Sequence, residues 1–233
     1  MNALPKLIPL LLLGTACGFA QSDEAQDEPF AGKVGLYGIH MVPYANSAPD
    51  YSRPSWGGGL TAVFPFTSLD KIFAVPVGFE VVNFLTQTTY FQDRPTGLRV
   101  EQQTSQDYIR LYGGLEAGGH GNGFLRPHGG INLALEFYSI STDVVVPDDV
   151  NRENEIRQNL RRKGQLIAGY DLNFGLELNF ANRYIVDGGA RYVKSFGLPE
   201  QLGDGSVTIY PDYFQIYLGF GVSFQMIGEL GKN

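Results

Sequence analysis

The residues able to do chemistry are few and scattered. The chain has three histidines, His40, His120 and His128, and one cysteine, Cys17. It has no HExxH, no CxxC and no glycine-rich phosphate loop, so the motifs that announce a zinc hydrolase, a redox centre or a nucleotide site are missing. His120 opens the run His-Gly-Asn-Gly (120–123), and Asn-Gly is a tight-turn signal, so His120 and His128 read as turn residues between two strands. No catalytic residue, metal ligand or cofactor site is assigned. The other ionisable residues of note recur inside apolar segments: Glu80, Arg110, Glu116, Glu136, Asp171, Glu177, Asp187 and Arg191. Six acids and two arginines at such positions must share hydrogen bonds or water, because an unpaired buried carboxylate is costly. The expectation is that Arg110 and Arg191 gather several acids each, with water solvating the rest.

The elements that position these groups follow from periodicity. In Gly164–Phe180 the residues Leu166, Ala168, Tyr170, Leu172, Phe174, Leu176, Leu178 and Phe180 alternate with Gln165, Gly169, Asp171, Asn173, Gly175, Glu177 and Asn179. Period 2 is the signature of a strand with one apolar and one polar or small face. The pattern recurs over Val34–Val42, Trp56–Phe66, Ile72–Val82, Tyr108–Gly118, Gly130–Ile140, Tyr184–Val193 and Tyr213–Met226. Pro76 removes a ladder donor in mid-strand and predicts an irregularity there. With 30 glycines and 13% aromatic residues the composition suits an all-β chain. A net charge of -7 offers no basic face for nucleic acid.

Before the strands, residues 1–20 carry one lysine, the apolar run Leu7–Leu13 and small residues ahead of Gln21, the outline of a secretory signal peptide. A lipid anchor on Cys17 is the competing reading, although Gly14 stands where a lipobox carries leucine. Residues 21–31 form an acidic leader, 32–228 the barrel and 229–233 a tail.

Alternation alone does not say which face is inside. Three features turn the apolar face to lipid. The other face is rich in glycine, as suits the cramped interior of an eight-stranded barrel. The connections alternate in length: 43–55, 83–107, 141–164 and 194–212 are long, whereas 67–71, 119–129 and 181–183 are short. Outer-membrane barrels show this asymmetry of long external loops and short periplasmic turns. Aromatics also collect near the strand ends: Phe64, Phe66, Phe73, Phe124, Phe180, Tyr184 and Phe224 by the short turns, and Trp56, Phe84, Tyr192, Phe196 and Phe214 by the long loops. The fold class expected is all-β, an eight-stranded antiparallel up-and-down transmembrane β-barrel.

On this architecture, and on the final strand YFQIYLGFGVSFQM, the chain resembles the small outer-membrane barrels of the OmpA, OmpX and OmpW type. The resemblance implies a Gram-negative outer-membrane address, both termini in the periplasm, delivery by the outer-membrane assembly machinery and a monomeric barrel. Such barrels often end on an aromatic residue, whereas here Gln225–Asn233 follows Phe224. Some are lipid A-modifying enzymes, but no histidine here lies two residues from a serine. The reading taken is a structural, adhesive or interaction role through the long loops. Its alternatives are a narrow pore, a lipid A-modifying enzyme and a soluble lipocalin-like binder. The loop 83–107 reads as a strand hairpin turning at Pro95–Gly97. The loop 141–164 reads as a charged connection whose Arg157, Arg161, Arg162 and Lys163 lie at the outer rim, where lipopolysaccharide phosphates would meet them.

Overall fold

The computed structural model describes residues 32–44, 54–66, 72–92, 99–118, 124–146, 156–180, 183–202, 205–209 and 212–230. The expected signal peptide and acidic leader, with Cys17, and also His120, lie outside these residues. The ten strands are β1 (Lys33–Pro43), β2 (Ser55–Pro65), β3 (Phe73–Gln92), β4 (Arg99–Gly118), β5 (Leu125–Val146), β6 (Ile156–Phe180), β7 (Tyr184–Ser195), β8 (Leu198–Leu202), β9 (Gly205–Ile209) and β10 (Tyr213–Ser223). A short helix, α1 (Phe224–Leu230), follows. Eight strands close a barrel in the order β1-β10-β7-β6-β5-β4-β3-β2, every pairing antiparallel, and β8 and β9 form a small separate hairpin. The chain is thus an eight-stranded up-and-down barrel.

The alternation turns out as an inside-out arrangement. Trp56, Leu36, Leu133, Leu166 and Leu218 are all at least 65% exposed, while Glu80, Arg110, Glu136, Asp171 and Gln215 are fully buried. Large apolar side chains on the outside and ionisable ones within are what a hydrocarbon solvent demands, and what water forbids. A soluble lipocalin-like barrel would reverse the two faces. The short strands β1, β2 and β10 have 11 residues each. At ~3.3 Å per residue and a tilt of ~40° they span about 28 Å along the barrel axis, matching the apolar band of a membrane barrel. Aromatic contacts border that band at both ends: Phe64–Phe224, Phe124–Phe180 and Tyr184–Phe220 by the short turns, and Tyr44–Tyr192, Tyr170–Phe196 and His40–Trp56 at the other rim.

Four strands outrun the barrel. β3 and β4 have 20 residues each, β5 has 22 and β6 has 25. Their lipid-facing positions turn polar along one cross-strand row, Asn83–Asp107–Ser139–Gly164, with an Asn83–Asp107 hydrogen bond of 2.8 Å, and this row marks the outer edge of the apolar band. Beyond it the four strands continue as one sheet, here called the fin, out to the pairs Gln92–Arg99 and Val146–Ile156. The two paired arms expected over 83–107 are therefore present, and the turn expected at Pro95–Gly97 lies outside the described residues. The expected loop over 141–164 is a correction: Ser141–Val146 and Ile156–Gly164 are strand. The β-branched run Val144–Val146 supports pairing, and the arginines do not oppose it on a stretch of β6 where Gln158, Asn159, Leu160 and Arg162 are all exposed.

Other boundaries shift as well. β5 starts at Leu125, so the turn expected over 119–129 shrinks and His128 is a strand residue. β10 ends at Ser223 and does not reach Met226. The Ser223 hydroxyl accepts a bond from the Met226 amide at 3.3 Å, capping α1, and the Phe224 amide bonds to the Gly32 carbonyl at 3.0 Å. Gly32 has φ +95°, a conformation suited to glycine, which lets the chain pass beneath the Phe224 ring. At Pro76 the β3–β4 ladder skips Val75 and Pro76 without changing register, and the register shift comes later, between Asn83 and Leu85.

Candidate functional site

The lumen holds the ionisable residues in two layers. The outer layer begins with a cross-strand row, Glu80 on β3, Arg110 on β4 and Glu136 on β5, which the register sets side by side. Arg110 is the hub. Its guanidinium lies 3.3 Å from Glu80 Oε2 and 3.6 Å from Glu136 Oε1, and it also pairs with Asp171 on β6. Arg191, arriving from β7, pairs with Glu80 from the other side. Three tyrosine rings surround the Arg191 guanidinium, with centroids 5.1, 5.0 and 4.5 Å away for Tyr37, Tyr112 and Tyr217. That cage supplies cation–π attraction to a guanidinium that is almost wholly buried. Glu80 also accepts bonds from the Tyr37 hydroxyl at 2.9 Å and from Gln215 Nε2 at 3.2 Å. Asn132 donates to Asp171 at 2.8 Å, and Ser195 donates to Glu136. Above this layer Tyr213 donates to Tyr108, and Tyr138 lies 3.4 Å from Tyr213, so a buried tyrosine triad with Ile39, Met41, Val82 and Val193 fills the outer end.

The inner layer, near the short turns, adds three residues, Lys33, Arg126 and His128, to the eight expected in the lumen. Lys33 pairs with Glu177 and lies 2.9 Å from Asp187. Arg126 lies 2.7 Å from Glu177. His128 spans two acids, 2.9 Å from Asp187 and 3.3 Å from Glu116. The expectation of water around acids left over by the two arginines is corrected: Lys33, Arg126 and His128 bring protein partners to Glu116, Glu177 and Asp187. Between the layers is a space of about 30 Å³, lined by Lys33, Tyr37, Glu116, His128, Asn132 and Arg191 among others. This is room for a water or two, not for a solute. Among the described residues no group of three His, Cys, Asp or Glu is placed to hold a metal ion.

Comparison with known proteins adds the architecture from a second direction. No family model matches the sequence, and no curated protein is similar to it in sequence. The barrel superimposes on the crystal structure of Neisserial surface protein A, with a TM-score of 0.50 and 12% identity, covering 83% of this chain and 97% of that one. The chain has the fold of a small eight-stranded outer-membrane barrel. Lower scores come from a major outer membrane protein of Thermus thermophilus (TM-score 0.48, 9% identity, 82% and 98% covered) and from the attachment invasion locus protein of Yersinia pestis (TM-score 0.42, 12% identity, 82% and 95% covered).

The remaining candidates lie at the outer rim of this barrel. Arg157, Arg161, Arg162 and Lys163 all belong to β6, in the fin. Ser141–Arg162 and Ile140–Lys163 are pairs immediately beyond the Gly164 row, with Arg162 exposed and Lys163 half-exposed. The backbone positions of Arg157 and Arg161 are described, whereas their side chains are outside the described set. His40 faces the lipid side of β1, its ring 4.4 Å from that of Trp56, and takes no part in the lumen.

The missed cations had a faint signal. Arg126, His128, Gly130 and Asn132 continue the inward alternation of β5 backwards, and Lys33 does the same for Gly35 and Tyr37 on β1. Only the strand starts, set too late on both elements, hid them.

Proposed function

We propose that this protein is a monomeric outer-membrane barrel that works as an anchor, holding the fin above the outer surface as a platform for interaction or adhesion. The carrying observation is that β3–β6 continue beyond the Asn83–Gly164 row while β1, β2, β7 and β10 stop near it. A strand pair needs no such extension to cross the membrane. The lumen beneath is filled by ion pairs and tyrosines, which favours the anchor over the pore. Ser195 is fully buried against Glu136, which does not favour an acyl-transfer enzyme. In this reading both termini and the short turns lie in the periplasm, since Lys33 at the start of β1 pairs with Ser223 at the end of β10 on that side. Arg162 and Lys163 then lie at the height of the outer-leaflet phosphates and make the contact with lipopolysaccharide, a charge-assisted contact that steadies the base of the fin.

The test is a trimmed chain in which tight turns replace 84–106 and 140–163. It should still insert and show heat-modifiable mobility, and cells carrying it should lose the adhesion or aggregation that the full chain confers. Equal adhesion by the trimmed chain would refute the role. Protease added to intact cells should cut at 93–98 and 147–155 and spare the barrel.

A further inference from the structure

The fin is a four-stranded sheet with two edges, and they differ. Below the rim β3 is flanked by β2, but that pairing stops at Gly57–Val82, and from Asn83 to Gln92 β3 pairs with β4 alone among the described residues. β6 loses its partner in the same way, since its pairing with β7 starts only at Gly169–Ser195. An open edge presents a row of backbone donors and acceptors that another strand can take up. Proteins blunt such edges with charge, especially lysine, and with bulges.

The β6 edge has both devices. It contains Arg157, Arg161, Arg162 and Lys163, and its register shifts opposite Thr142 and Asp143. The β3 edge has neither over Gln87–Phe91, the sequence Gln-Thr-Thr-Tyr-Phe, which has no charge and no proline, and its one register shift lies lower, at Asn83/Leu85. Gln87, Thr88, Thr89, Tyr90 and Phe91 are all exposed. Threonines and aromatics are the residues that pair best across strands. Among the described residues one edge is guarded and the other is open.

We propose that the Gln87–Phe91 edge of β3 docks onto the same edge of a second copy of this chain, carried on a facing membrane. The occupant follows from symmetry and charge. A self-complementary contact needs one two-fold axis that brings the edge against itself. Two copies side by side in one membrane have β3 running the same way, so their edges could meet only in parallel. Copies on facing membranes present β3 in opposite directions, which gives the antiparallel ladder, the more stable pairing. The uncharged β3 edge meets itself without repulsion, whereas two β6 edges would set arginine against arginine. The contact lies within about 30 Å of the membrane along β3, at ~3.3 Å per residue, so it requires closely apposed surfaces. The proposal rests on the anchor-and-fin reading above and names the partner for it.

The test uses the full chain in phospholipid vesicles free of lipopolysaccharide, with clustering followed by light scattering and folding checked by heat-modifiable mobility. Wild-type vesicles should cluster. Vesicles bearing Thr88→Lys with Thr89→Lys, or Thr88→Glu with Thr89→Glu, should each cluster about tenfold more slowly, because like charges then face one another across the two-fold. Mixing the lysine and glutamate populations should restore the wild-type rate. Gln158→Lys with Leu160→Lys on the β6 edge should leave clustering unchanged. Wild-type vesicles that stay dispersed, or a mixture that fails to recover, would overturn homotypic docking. Adhesion still lost on trimming the fin would then leave the platform reading standing, with a different partner.

Discussion

Arg110 tests the reading of the lumen most severely. It is fully buried and lies within 3.6 Å of Glu80 and Glu136 while pairing with Asp171. Replacing it with methionine keeps most of the volume and removes the charge. At an effective dielectric of ~20, one ion pair at 3.3 Å carries an attraction of about 5 kcal/mol, and the net cost of breaking a buried pair by deleting one partner is about 3–5 kcal/mol. Arg191 still reaches Glu80, which limits the loss on that side, but it has no described contact with Asp171 or Glu136. Arg110→Met should therefore destabilise the barrel by about 3–5 kcal/mol in reversible urea unfolding from lipid vesicles. Arg110→Met combined with Asp171→Asn should recover part of this, because the second change removes an orphaned charge and retains an acceptor for Asn132. A loss below about 1 kcal/mol for Arg110→Met, or full additivity of the two changes, would mean that water solvates the lumen and that the layers are not the plug inferred from their geometry.

Three further outcomes follow from the same structure. Leu218→Arg, in the middle of β10 on the lipid face, should cost about 2–4 kcal/mol in vesicles, whereas Thr88→Arg on the fin should cost under about 0.5 kcal/mol; equal costs would contradict the placement of the apolar band. Gly78→Val should cost about 1–3 kcal/mol, since a Cβ at Gly78 would overlap the Tyr112 ring and push it from Arg191; near-wild-type unfolding would show that the tyrosine cage is loose. The wild-type barrel should give no steady single-channel conductance in a planar bilayer, and a reproducible open level would favour the pore.

What was legible in the sequence was whatever repeats with period 2. Leu166 to Phe180 on β6 and Phe214 to Val222 on β10 fixed the apolar face, and Glu80, Arg110, Glu116, Glu136, Asp171, Glu177, Asp187 and Arg191 fell on the other face by the same rule. The partners were not legible. Lys33 meets Asp187 across 154 residues only because β1 closes on β10 and β10 lies on β7, and that closure register is a property of the whole barrel. His128 lies only five residues beyond the Asn-Gly turn at 122–123, and nothing in the sequence marks where that turn ends and β5 begins. The upper half of β6 was hidden for a different reason. Above the barrel Gln158, Asn159, Leu160 and Arg162 are all exposed, so this stretch of β6 has no buried face to impose alternation, and its four cations resemble a loop.

The same physics explains why the fin keeps its shape. A two-stranded hairpin in water is marginal, but β4 and β5 are central strands here, each flanked on both sides up to Glu101–Val145. Val100 and Val145, near the far end of the sheet, are 7% and 3% exposed, so the sheet is packed almost to its tip. Tyr90 there carries Arg99 over its ring at 4.2 Å. A packed, four-stranded extension continuous with a membrane barrel is rigid at its base, where the Asn83–Asp107 bond and the Glu80–Arg110–Glu136 row lie three residues apart on the same strands. Ordering entropy that a flexible loop would lose on meeting a partner has thus been lost already, in folding. A contact of only five residues along Gln87–Phe91 is weak by itself, but many copies on two facing surfaces act together, and pre-ordering of each edge is what lets so short a strand contribute.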